Sequence, residues 1–165
     1  MSTPAGVLRD AFAYHAWAMG VLFDSLDGLD PEQLDGEIAG TYGSIASTLT
    51  HTVDADERYL QRLAQVPLPP IEDHGAQPLA ELRARMTDQA GRWGDVLALL
   101  EAGDLHAAIE DRPVAGGIDP AESLLLNQAI HHGNDHRTQI CSTLGALGLD
   151  VPDIDVWTYF DRERR

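Results

Sequence analysis

The sequence predicts an all-α protein, a four-helix bundle with a long third connection and a short C-terminal tail. Four long segments place apolar residues three and four positions apart, which is the spacing of one helix face. No segment shows the apolar–polar alternation that is typical of a half-buried strand. Four amphipathic helices bury their apolar faces most simply against one another, so we expect one bundle domain over residues 1–165.

The first two helices have clear start and stop signals. The first is expected to begin at Thr3 and Pro4, a cap and a first helical residue, and to end before Gly28 and Pro31. The second is expected from residue 43 or 44 to about 66, where prolines at 67, 69 and 70 end it. The expected buried residues are Leu8, Phe12, His15, Met19, Leu22 and Leu26 in the first helix, and Ile45, Leu49, Val53, Leu60 and Leu63 in the second.

The third and fourth helices are separated by a long connection. The third begins at Pro78, and residues 103–117 follow as an irregular segment with a short turn at 105–109. The fourth begins at Asp119-Pro120-Ala121-Glu122, which supplies a capping carboxylate and a first-position proline, and runs to about Leu147. Gly148 is a suitable C-terminal stop, and the tail at 151–160 is expected to lie back on the bundle. The expected buried residues are Leu79, Leu82, Met86, Ala90, Trp93, Leu97 and Leu100 in the third helix, and Leu125, His132, His136, Thr143 and Leu147 in the fourth.

The charge balance excludes several classes of function. Eleven basic residues, all arginine, stand against 27 acidic ones, for a net charge of −16. Nucleic acid and anionic membranes are therefore disfavoured as partners. The absence of lysine excludes a Walker A loop and Schiff-base chemistry. Cys141 is the only cysteine, so an intrachain disulfide is impossible. Charged residues interrupt the apolar N-terminus, which is not typical of a signal peptide. With these exclusions we expect a cytoplasmic protein with a small-molecule substrate.

The sequence contains a candidate metal site. His132 and His136 lie four residues apart on the fourth helix, which places both rings on one face about 5–6 Å apart. Two imidazoles at that spacing can share one divalent ion. His51 on the second helix is the candidate third ligand, because its small neighbours Thr48 and Ala55 leave room for an ion between helices.

Other interpretations of the histidines remain open at this point. Two histidines also fall at this spacing by chance. His131 and Asp135 form a second pair of the same spacing, turned about 100° from the first, although the apolar positions of the helix favour the 132/136 pair. His74 and His106 fall in predicted loops. His15 occupies an apolar stripe, either as a packed, hydrogen-bonded histidine or as part of a pocket beside the metal.

The run from His132 to Ile140 (His-Gly-Asn-Asp-His-Arg-Thr-Gln-Ile) resembles the fourth-helix signature of the DinB/YfiT-like superfamily, in which His-x-x-x-His-Arg-x-Gln is typical. This is the family of small bundle proteins and not the like-named DNA polymerase. Further stretches resemble the family at His15-Ala16-Trp17, Leu29–Leu34, Gly43–Ile45, Leu49-Thr50-His51, Glu57, Leu147-Gly148, Pro152, Asp155 and Tyr159. The resemblance implies a metal triad of His51, His132 and His136.

The resemblance also implies a function. It points to one divalent transition metal, with zinc or nickel best suited to imidazole, and to open coordination positions for water or substrate. We expect an enzyme, a metal-dependent transferase of a low-molecular-weight thiol such as bacillithiol or mycothiol, with that thiol as cosubstrate. The alternatives are a stress-associated metal-binding protein without turnover and a metal-assisted hydrolase. Members of the family are often dimers, so a homodimer is expected.

Five further residues are candidates for roles around the metal. Asp135 and Gln139 are candidate partners for the ring nitrogens that do not bind it. Arg137 has two open roles, either to anchor an anionic group of the substrate or to pair with an acidic residue. His15 and Trp17 are candidates to wall a pocket for the thiol.

Overall fold

The computed structural model describes residues 4–64, 76–103, 105 and 121–163. All regular secondary structure in these residues is helical, which confirms the predicted all-α class. The helices are α1 (Pro4–Leu26), α2 (Pro31–Leu34), α3 (Ile45–Ala64), α4 (Leu79–Ala102), α5 (Ala121–Ala146) and α6 (Val156–Glu163).

The four long helices form the predicted bundle. Helices α1 and α3 each pack against α4 and α5, so α1 and α3 occupy one diagonal of the bundle and α4 and α5 the other. Short helix α2 packs against α3, and α6 packs against α1. No helix in the described ranges is both long and apolar enough to cross a membrane.

The helix ends follow the sequence signals where the structure describes them. Gly28 and Gly148 have φ angles of 86° and 72°, the left-handed conformation that glycine adopts without strain, just beyond the ends of α1 and α5. Several predicted features lie outside the described residues: the cap at Thr3, the proline stop at 67–70, the start at Asp119-Pro120, most of the third connection, and the loop histidines His74 and His106.

Two short helices were not anticipated from the sequence. In α2 the Asp30 side chain accepts a hydrogen bond from the Gln33 N–H at 2.8 Å, and the Gln33 side chain accepts one from the Asp30 N–H at 2.9 Å. This reciprocal capping box compensates for the shortness of the helix. Helix α6 forms within the predicted tail. The tail packs on α1 as expected, because the Tyr14 hydroxyl donates to the Ile154 carbonyl at 2.8 Å and Tyr159 is buried.

The core consists of two apolar clusters that meet at a set of buried polar residues. One cluster contains Phe12, Leu60, Leu63, Trp93, Val96, Leu97, Leu105, Leu125, Leu126 and Ala129. The other contains Met19, Leu22, Phe23, Leu26, Ile45, Leu49, Val53, Leu82, Met86, Ile140 and Leu144. Where one cluster gives way to the other, each long helix contributes at least one buried polar residue. We call four of them, each at most 2% exposed, the polar layer: His15 on α1, Asp56 on α3, Gln89 on α4 and Arg137 on α5.

The interior face of α5 is turned slightly from the predicted one. Arg137, Ile140 and Leu144 are each at most 1% exposed, whereas Leu147 is 44% exposed. Leu125, His136 and Thr143 are buried as predicted and His132 is half-buried, so the predicted face overlaps the buried one but is displaced toward its margin. The expected buried residues of the first two helices, in contrast, are buried or packed against the core.

Candidate metal centre

Three histidines bring their Nε2 atoms together between α3 and α5, and we call them the histidine cluster: His51, His132 and His136. Nε2 of His132 lies 3.0 Å from Nε2 of His51 and 3.1 Å from Nε2 of His136. Nitrogen ligands at about 2.0–2.1 Å from one ion stand roughly 3 Å apart, so the separations fit a shared ion. The cluster can therefore hold a divalent transition metal.

The local sequence explains how the rings meet. His132 and His136 are one turn apart on α5, and α3 packs directly against that helix. Thr48 and Ala55, about one turn to either side of His51, are small and buried. They allow α3 to approach α5 closely enough for an imidazole to fill the space between the two helices.

The cluster favours neutral imidazoles, which are the metal-binding form. Burial, with a further contribution from the neighbouring His136 and His51 rings, lowers the pKa of His132 to about 4. Burial also lowers the pKa of His51, and the neighbouring His136 ring and the Arg58 guanidinium add to the effect. At neutral pH both rings therefore keep a nitrogen lone pair available.

Gln139 sets the orientation of one ligand ring. Its Oε1 atom accepts a hydrogen bond from the Tyr42 backbone N–H at 3.0 Å, which identifies that atom as the oxygen. The same oxygen lies 3.1 Å from Nδ1 of His136. Because a carbonyl oxygen only accepts, Nδ1 of His136 carries the proton, and the lone pair on Nε2 faces the cluster.

Two tyrosines flank the histidine cluster. The Tyr42 ring stacks on His51 with centroids 4.1 Å apart and meets His136 edge-on at 5.4 Å, while remaining 55% exposed. The half-buried Tyr59 ring stands edge-on to His132 at 5.8 Å, and its hydroxyl accepts a hydrogen bond from Gln128. Aromatic rings thus cover two sides of the cluster, one of them in contact with solvent.

Three members of the polar layer form a hydrogen-bonded chain beside the cluster. Nη1 of Arg137 lies 2.8 Å from Nδ1 of His15, and Nε2 of His15 lies 2.8 Å from Oδ2 of Asp56. Arginine can only donate, so Nδ1 of His15 accepts and its Nε2–H donates to the carboxylate. A neutral His15 therefore links a buried cation to a buried anion, all three at most 1% exposed.

Gly133 makes room for this chain. A Cβ atom at residue 133 would lie 2.8 Å from Nδ1 of His15, closer still to Cε1 of that ring, and 3.1 Å from Nη1 of Arg137. The residue that follows the ligand His132 therefore has to lack a side chain for His15 to reach the surface of α5.

The structure separates the remaining candidates. Arg137 is 1% exposed and connects to an acidic residue through His15, so it does not present its guanidinium to a substrate. Burial lowers the pKa of Arg137, and the nearby Tyr14 hydroxyl opposes this. Trp17 packs against Tyr14 of α1 and Tyr159 of α6, and its role as a pocket wall stays a prediction.

Two of the candidate residues on α5 face solvent. Three other residues at the site were not predicted from the sequence. His131 and Asp135 are exposed, so His132 is the one of the two adjacent histidines that faces the cluster. Sequence reasoning did not identify Tyr42, Tyr59 or Asp56. A signal existed for Asp56, because it continues the apolar stripe at positions 53 and 60.

Comparison with known proteins agrees with the resemblance seen in the sequence. The family model described as the DinB family matches residues 1–165, the whole chain. No curated protein matches the chain. The chain therefore belongs to the DinB family.

Proposed function

We propose that the histidine cluster binds one divalent transition-metal ion and that the protein uses it to transfer a low-molecular-weight thiol. The observation that carries the proposal is the meeting of three Nε2 atoms, two of them 3.0 Å and 3.1 Å from the third. Three neutral nitrogen ligands leave coordination positions open, as in catalytic and not in closed structural sites. When bound, such an ion lowers the pKa of a thiol or water that joins it.

The chain's own residues prepare this site for a ligand. Gln139 holds His136 with its lone pair toward the cluster. Tyr42 restrains the His51 ring by stacking on it, and Tyr59 packs edge-on against His132. In a protein of net charge −16, the charge of exposed Arg58 acts on His51 and outweighs the opposing charge of Asp54, which favours an anionic ligand, such as a thiolate, at this point.

Metal content is the first test of the proposal. Protein purified without a histidine tag is expected to contain about one equivalent of zinc or nickel. The His132→Ala variant should lose it, whereas His131→Ala, which changes the adjacent exposed residue, should retain it. Absence of metal from wild type, even after reconstitution, would contradict the proposal.

Turnover is tested on the reconstituted protein. Consumption of a small thiol together with an electrophile, lost in His132→Ala and kept in His131→Ala, is the expected result. Hydrolysis of an activated ester without thiol consumption would favour the metal-assisted hydrolase. Stoichiometric metal with neither activity would favour a metal-binding protein without turnover.

A further inference from the structure

Several buried polar atoms have no hydrogen-bond partner among the described residues, among them Nε and Nη2 of Arg137, and two of them bear on the tautomer of a ligand ring. One is Nδ1 of His132, whose Nε2 is turned toward the other two histidines. The other is Oδ1 of Asp56, whose second oxygen accepts from His15. Nδ1 of His132 carries a proton and is a donor when Nε2 is free to bind metal, whereas Oδ1 of Asp56 is an acceptor. They belong to α5 and α3, which pack against each other.

The Asp56 carboxylate is held in place independently of His132. His15 donates to its Oδ2 at 2.8 Å and is itself fixed by Arg137, so the carboxylate is anchored from α1 and, through Arg137, from α5. Asp56 is 0% exposed, and a buried carboxylate needs hydrogen bonds to both oxygens to offset its lost hydration. The free Oδ1 is therefore an acceptor in need of a donor.

His132 lies near this carboxylate. His15, which donates to Oδ2 of Asp56, packs directly against Gly133, the residue that follows His132 on α5. The neighbouring ligand gives a precedent within the same site, because Nδ1 of His136 already has an oxygen acceptor in Gln139. Histidines that bind metals generally donate their second ring N–H to such an acceptor.

We propose that Asp56 is a positioning residue of the metal centre: Oδ1 accepts a hydrogen bond from Nδ1–H of His132, while Oδ2 holds His15. The carboxylate thereby fixes the tautomer in which Nε2 of His132 keeps its lone pair for the metal. The chain from Arg137 through His15 to Asp56 then extends to a ligand ring. This inference rests on the proposed metal site for its purpose, but the tautomer is a property of the metal-free protein.

The tautomer can be measured directly. Long-range proton–nitrogen NMR correlations of the metal-free, histidine-labelled protein at neutral pH distinguish a ring nitrogen that carries a proton from one that does not. The His132→Ala variant assigns the signals. We expect His132 of wild type to be protonated at Nδ1 and bare at Nε2. Protonation at Nε2 in wild type would overturn the inference without the need for any further variant.

Asp56→Asn provides the matching variant. An asparagine has one acceptor oxygen, so it cannot serve both His15 and His132, and its amide would push His132 toward the Nε2–H tautomer. Asp54→Asn is the control, because it removes the same charge from the same helix. Asp54 pairs with Arg85, which retains Glu57 as a partner.

Cobalt(II) titrations followed by visible absorption give the second readout. Asp56→Asn should bind cobalt about 10–100-fold more weakly than wild type. Asp54→Asn should change the affinity by less than about threefold, because the Asp54 carboxylate is paired with Arg85 and has no place in the hydrogen-bonded chain of His15. Equal affinity and an unchanged tautomer in folded Asp56→Asn would overturn the inference.

The outcomes separate this inference from the proposed function. If wild type binds no cobalt, the proposed metal site fails, and the tautomer of His132 still decides whether Asp56 positions the ring. If wild type binds cobalt but His132 carries its proton on Nε2 in the metal-free protein, the metal site stands and the role of Asp56 is wrong. If Asp56→Asn does not fold, the wild-type spectrum alone gives the answer.

Discussion

Nδ1 of His136 donates a hydrogen bond to Oε1 of Gln139 across 3.1 Å, from one turn of α5 to the next. The same oxygen binds the Tyr42 backbone N–H, so one amide connects a ligand ring to the segment that covers the site. The glutamine thus controls both the tautomer of a ligand and the position of an aromatic wall.

Replacing Gln139 by leucine should therefore weaken metal binding. Without the acceptor, His136 loses its fixed tautomer, and we expect the affinity for zinc to fall about 10–100-fold in competition with a coloured chelator. Asn127→Leu, which also replaces an amide by leucine but on the exposed side of α5, where the Asn127 side chain bonds only Ser123, should bind as wild type does. Equal affinities in the two variants would show that the hydrogen bond does not prepare the ligand.

Tyr42 should control the rate at which metal leaves the site. Its ring covers His51 at a centroid distance of 4.1 Å, so we expect Tyr42→Ala to release zinc to excess chelator several-fold faster than wild type. Tyr42→Phe keeps the ring and removes only the hydroxyl, and it should release zinc at the wild-type rate. A fast Tyr42→Phe variant would assign the effect to the hydroxyl instead of the stack.

Gly133→Ala should destabilise the protein although alanine favours helices. The new Cβ would crowd His15 and Arg137, and overpacking of this kind costs about 1–3 kcal/mol. A Cβ at Gly94 of α4 would meet nothing within 4 Å, so Gly94→Ala should be neutral or stabilising by up to about 1 kcal/mol. Urea unfolding of the metal-free proteins measures both changes. Stability of Gly133→Ala equal to that of wild type would mean that His15 can move away without loss.

The pH dependence of stability should reveal the buried histidine. The pKa of His132 is about 4 in the folded protein, below its ordinary value of 6.5, so the unfolded chain binds the proton more tightly. The stability that neutral His132 contributes is then fully present above about pH 6.5 and is lost as the pH falls toward 4. His132→Ala lacks this titration.

The measurement is the difference in free energy of unfolding between metal-free wild type and His132→Ala, taken at several pH values with chelator present. We expect wild type to lose stability relative to His132→Ala as the pH falls from 7 to 4. A difference that stays constant over this range would show that His132 does not titrate as its burial indicates.

Local patterns in the sequence predict much of the fold. The three- and four-residue spacing of apolar residues predicted the four long helices, because each helix buries one face. The i,i+4 pair of His132 and His136 predicted two rings on one side of α5, since that geometry is fixed by the helix itself. The prediction of His51 as the third ligand required an assumption about which helices are neighbours. The small residues around His51 were the reason for that assumption.

The remaining parts of the site depend on tertiary contacts that no local pattern encodes. Tyr42 lies in an irregular segment between α2 and α3, where no periodicity indicates the direction of a side chain. Asp56 and Arg137 are charged residues on helices, which usually face solvent, and only their mutual connection through His15 makes their burial tolerable. The buried face of α5 was predicted to one side of its true position for the same reason: a charged residue, Arg137, lies at its centre.

The polar layer also bears on how the helices choose one alignment. Each long helix contributes one member, and the two ionic members meet through His15. Sliding one helix by a single turn, about 5.4 Å, would place a charge against hydrocarbon and leave its partner unmatched. The two apolar clusters could tolerate such a slip far better, because one leucine replaces another at little loss. The polar layer therefore disfavours misaligned bundles. It keeps the histidines of α3 and α5 at the same level along the bundle axis.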